Sequence, residues 1–164
     1  MTDMTEKLTA KTAKLLEPLS KRPTAERWLT RALGVALSAT AYLLCMPWDL
    51  RNRPASPGST SETTPVTGLG VAILAVSLLL LAAYFGHRDA FAWPVLLVAM
   101  PPVALMYASF QAHPEQDASM WPLAFGFFTL VISAGVLIAA SVARQFRAAG
   151  EDSDSADWLI LAHR

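Results

Sequence analysis

Between Val66 and Phe85 the chain reads VTGLGVAILAVSLLLLAAYF, twenty residues without a charge, a proline, an Asn or a Gln. A helix rises about 1.5 Å per residue, so this stretch covers about 30 Å, the thickness of a bilayer's hydrocarbon core. A soluble bundle would need a polar face on each helix, recurring about every 3.6 residues, and this run has none. It reads as a membrane span, and the rest of the chain is organised around it.

The placement of charge extends the reading. Charged residues make up 16% of the chain and apolar residues 54%, against about 25% charged in an ordinary soluble domain. From Val66 to Ala143 the only Asp, Glu, Lys or Arg residues are Arg88, Asp89, Glu115 and Asp117, and each pair falls between apolar runs. The expected fold is all-α, a four-span transmembrane helical bundle with a basic amphipathic N-terminal arm. Its parts are the arm over 1–31, a membrane domain over 32–143 with spans near 32–48, 66–85, 91–110 and 121–143, and an acidic tail over 144–164.

The arm carries seven basic residues, and Leu8, Leu15, Leu16 and Leu19 recur on one helical face. Such a stretch can lie on an anionic membrane surface, where each Lys or Arg contributes on the order of 1 kcal/mol. Lys7, Lys11, Lys14, Lys21 and Arg22 are the candidate lipid-headgroup contacts; a solvated arm is the plainer alternative. Pro18 should end that helix, and Pro23 suits the first turn of the next.

The first span, Ala32 to about Met46 with Trp28 and Trp48 as interfacial anchors, is the shortest apolar run. Its rival is a signal peptide cleaved after Ala39-Thr40-Ala41. Asp49 to Pro65, DLRNRPASPGSTSETTP, reads as a mobile loop without apolar periodicity. Gly86 to Asp89 is a tight connection that makes the second and third spans antiparallel neighbours.

The third span contains Pro101 and Pro102 near its midpoint. Two prolines remove two backbone donors and crowd the preceding turn, so a kink is expected there. Broken helices in transporters expose mid-membrane carbonyls, which makes Met100, Pro101, Pro102, Met106 and Tyr107 the candidate solute site. The alternative is a kink whose freed carbonyls are met by a neighbouring Ser or Thr. In the fourth span Gly135, Ala139 and Ala143 fall four apart, a candidate helix-packing face. Arg144 and Arg147 are expected to stop that helix.

No Asp, Glu, Lys, Arg or His is expected inside any span, although proton relays and ion-coupled transport place such groups at mid-membrane. One cysteine offers no redox pair, and the three histidines do not sit within spans as haem ligands. His113, Glu115 and Asp117 alternate in the second polar loop and could in principle face one cation, but a hydrated loop accounts for them. No catalytic, cofactor-binding or metal residue is therefore assigned. Lys and Arg number eleven on one side of the bundle and two on the other, which puts both termini in the cytoplasm of a multi-pass cell-membrane protein. The expectation for function is a non-catalytic accessory or scaffolding subunit packed against other membrane proteins or itself, with lipid as its solvent and no nucleic acid. The alternative is a small carrier or channel for an apolar or weakly polar solute, built by oligomerisation.

Overall fold

The computed structural model describes residues 18–57, 61–112 and 121–161. The chain is all-α apart from one short ribbon, and among the described residues four helices are long and apolar enough to cross a membrane. They are α1 (Thr24–Cys45), α2 (Gly68–Arg88), α3 (Ala92–Ala112) and α4 (Trp121–Leu161), the last apolar as far as Phe146. The antiparallel α2–α3 hairpin forms the centre. Both α1 and α4 pack on its two helices, with α4 lying chiefly along α2. Of the four, α3 is the most enclosed and α4 the most exposed.

Each helix buries a stripe set by the helical repeat, while its remaining faces carry exposed Leu, Ile, Val and Phe. On α2 the stripe is Leu74, Leu78, Ala82, Phe85 and Gly86. On α4 it is Val136 and Ala140. Gly86 lets the two backbones meet, since a Cβ there would lie 2.6 Å from Ala140 Cα and 2.8 Å from its carbonyl oxygen. The start of α2 is capped by Thr67, whose hydroxyl accepts from the Gly70 N–H at 3.1 Å.

As expected from Pro23, α1 starts directly after it, at Thr24, two turns before the apolar run that opens at Ala32. Other features differ from the expectations above. The run from Ala32 to Met46 would cover only about 22 Å, so a crossing of about 30 Å has to draw in the preceding turns. Charge is consequently not confined to the connections: Arg31 lies within α1 at 5% exposure, and Asp89, which closes α2, is 9% exposed. At the other end of the chain, Arg144 and Arg147 do not stop the last helix, which continues to Leu161. The segment beyond Phe146 contains no proline and several good helix formers, so the change from apolar to acidic composition does not interrupt the backbone.

The segment 49–65 is not a featureless loop either. Arg53–Pro54 (β1) pairs antiparallel with Glu62–Thr63 (β2), in the register Arg53 to Thr63 and Pro54 to Glu62. Its base is fixed by Asp49, whose carboxylate accepts two bonds from the Arg51 guanidinium at 2.9 Å and one from Arg53 at 3.3 Å. The side-chain bond from Arg51, helped by its backbone N–H and by Arg53, holds the Asp49 carboxyl well below the usual carboxylate range.

Candidate functional site

Of the buried polar and charged residues among those described, Arg31, Ser38, Asp89 and Ser109 lie on the seam that α1 and the residues after it make with the α2–α3 hairpin, while Arg88 donates to Tyr84 on its own helix. Spacings of three, four and four residues put Arg31, Gly34, Ser38 and Tyr42 on one face of α1, and all four are buried. This is the inverse of a soluble amphipathic helix. The small and polar stripe turns inward while Leu29, Leu33, Leu37 and Leu44 turn out.

At the end of the seam nearest the N-terminus, Arg31 donates through Nε to Asp89 Oδ2 at 2.8 Å and through a terminal nitrogen to Oδ1 at 2.9 Å. This is the two-pronged geometry that suits guanidinium to carboxylate. The guanidinium carbon lies 3.5 Å from the centroid of the Trp93 ring and 5.5 Å from that of Trp28, and the two indoles meet edge to face at 5.9 Å. Asp89 also accepts from the Ala90 N–H at 2.9 Å. A carboxylate at the C-terminus of a helix opposes the helix dipole, and Arg31 supplies its direct counter-charge from α1. Removing one partner of a buried pair costs about 3–5 kcal/mol, because the other charge is left uncompensated.

Two turns further along α1, the Ser38 hydroxyl donates to the Val98 carbonyl at 2.7 Å. In a regular helix that carbonyl would receive the N–H of residue 102, which is proline and has none. The irregularity of α3 lies just before the proline pair: Val95–Ala99 forms a π-helical turn, with the Met100 N–H bonded to the Val95 carbonyl, and Met100–Ala112 then resumes as α-helix. The prolines thus occupy the first turn of the resumed helix, where missing donors are tolerated. The wider π turn is a local device of the kind that bends helices. Ser109 closes the far end of the seam by donating to the Trp48 carbonyl.

The five residues of the candidate solute site divide between two faces. Pro102 and Met106 are buried in the bundle, Pro101 is half-buried, and Met100 and Tyr107 are exposed, with the Tyr107 ring 5.5 Å from that of Phe125. Gly135, Ala139 and Ala143 are all half-buried, one position before the deeply buried Val136 and Ala140. Ala139 and Ala143 line an apolar groove between α2 and α4, with Leu79, Leu80, Ile138 and Phe146 also lining it. Of the candidate headgroup contacts, Lys21 is exposed in a short 3₁₀ turn (Leu19–Lys21), and Arg22 is half-buried and ion-paired with Glu26 at 3.5 Å. Lys7, Lys11 and Lys14 lie outside the described residues, as do His113, Glu115 and Asp117. Among the described residues no group of three His, Cys, Asp or Glu side chains is placed to hold a metal ion.

Taken singly, the sequence charges place Arg31 in the arm and Asp89 in a turn. The available signal is the stripe itself, Arg31-Gly34-Ser38-Tyr42, whose members recur at helical spacing on one face while Leu29, Leu33, Leu37 and Leu44 occupy others. Comparison with protein-family models, with curated proteins and with solved structures finds no match.

Proposed function

We propose that the protein is an accessory or scaffolding subunit of a membrane assembly, lying in the cell membrane with both termini in the cytoplasm. The observation that carries this reading is where the polar groups go. The Arg31 and Asp89 charges neutralise each other, and the Val98 carbonyl freed by Pro102 is bonded to Ser38, so these groups serve helix packing rather than a solute path. The outward faces are apolar, and between α2 and α4 they form a shallow groove lined in part by Ala83, Ala139 and Ala143, small residues of the kind that let helix backbones approach. Orientation rests on the distribution of Lys and Arg. By sequence eleven fall on the side of the termini, Arg31 and Arg88 among them near the ends of their helices, against Arg51 and Arg53 on the other, and those two are folded onto Asp49.

A carrier or channel formed by oligomerisation is the second reading, favoured by the π turn beside Pro101 and Pro102, since such turns recur at functional sites. Replacing Pro101 with Ala and Pro102 with Leu separates the two. A scaffold keeps its assembly and loses only packing stability, whereas a carrier loses flux. Truncation after Phe146 does the reverse, releasing a partner held by the tail while leaving any flux intact.

A further inference from the structure

We infer that α1 is a conditional span, one that crosses the membrane only because the α2–α3 hairpin supplies Asp89 to receive Arg31. Four observations converge on it. Among the four spans α1 is the least apolar. Its run from Ala32 to Met46 covers about 22 Å of a core about 30 Å thick, so α1 crosses only with Arg31 drawn to the edge of that core, level with Asp89 at the end of α2. The inward face of α1 is polar along its length, with Arg31 and Ser38 each bonded to the hairpin. Asp89, the acceptor, is contributed from 58 residues further along the chain.

These facts set an order of events. An undocked α1 presents a guanidinium and a hydroxyl to lipid, where charged side chains are disfavoured and polar ones need partners. By contrast α2 is the most apolar of the four, its basic residues His87 and Arg88 confined to the last turn, and it needs no partner to insert. The hairpin is therefore the stable core, and α1 commits to its crossing when Asp89 reaches it. Trp93 closes over the other face of the guanidinium and excludes lipid and water from the pair.

The roles of the two charges are unequal, and that inequality provides the test. Arg31 is the group that hinders insertion and Asp89 the group that permits it. In the full-length chain with Cys45→Ser, single cysteines are placed at Ser20 (Ser20→Cys) and, separately, at Ser56 (Ser56→Cys). Each is labelled with a membrane-impermeant maleimide in right-side-out and inside-out membrane vesicles. With the native pair, the two sites label from opposite sides. Asp89→Asn should raise several-fold the fraction of chains in which both sites label from the same side. Arg31→Leu should leave the sites on opposite sides, although it breaks the same ion pair, and Arg31→Leu combined with Asp89→Asn should restore the native pattern. The inference is overturned if Asp89→Asn keeps the native pattern, or if Arg31→Leu disturbs it as much as Asp89→Asn does. The second result would make the pair a packing contact with no part in insertion.

Discussion

Ser38→Ala removes a hydroxyl that is fully buried and bonded at 2.7 Å to the Val98 carbonyl. Leaving a buried acceptor unpaired costs about 1–3 kcal/mol in soluble proteins. Hydrogen bonds between transmembrane helices average nearer 0.6 kcal/mol with a maximum near 1.7, because the undocked helices find other partners. The Val98 carbonyl has no α-helical donor to fall back on, since residue 102 is proline, so the upper part of the membrane range applies: about 1.5 kcal/mol, or roughly tenfold in the docking equilibrium. Pro102→Ala restores a backbone N–H four residues after Val98, where an α-helix would direct it to that carbonyl. In that background Ser38→Ala should cost only about 0.5 kcal/mol, the reduced cost of a carbonyl that keeps one donor. The coupling between the sites is then about 1 kcal/mol, well above the scatter of independent sites. Equilibrium unfolding in mixed micelles, followed by tryptophan fluorescence, measures all four corners of the cycle. Equal costs of Ser38→Ala in the two backgrounds would refute the assignment of Ser38 as the donor that replaces the missing Pro102 N–H.

Three further expectations test other contacts. Gly86→Ala places a methyl 2.6 Å from Ala140 Cα, so α2 and α4 must separate; it should destabilise the bundle by about 1–3 kcal/mol in the same unfolding assay, whereas Gly68→Ala, which meets nothing within 4 Å, should not. Tyr42→Phe should be neutral or stabilising by a few tenths of a kcal/mol, because the buried Tyr42 hydroxyl has no hydrogen-bond partner among the described residues and its removal relieves a desolvated polar group. Asp49 should titrate below the ordinary carboxylate range of about 3.9 when followed by carboxyl carbon NMR in micelles. Because its folded pKa is depressed, its contribution to the ribbon is fully present above that value and lost only as pH falls through the lowered one, so the β1–β2 pairing should be unchanged from pH 5 to 8.

The second, third and fourth long helices were legible because each is a run of about twenty residues that is apolar on every face. The expected bounds of 66–85 and 91–110 differ from α2 and α3 by only a few residues at each end. What the sequence concealed was pairing. Arg31 beside Trp28 and Thr30 looks like the end of a basic arm, and only the fold brings Asp89 to it. The same holds at the proline pair: Pro101 and Pro102 announce missing donors, but not that the bend falls in Val95–Ala99 or that Ser38 is the replacement donor. Continuation of α4 past Arg147 was hidden differently, because a change from apolar to acidic residues does not by itself end a helix.

The mass and composition of the native assembly, extracted gently from its own membrane with a tag in the β1–β2 connection, bear most directly on the proposal that the protein is an accessory subunit. Recovery with a different membrane protein in fixed stoichiometry is the expected result. Recovery alone, as a monomer or a homo-oligomer, would contradict it.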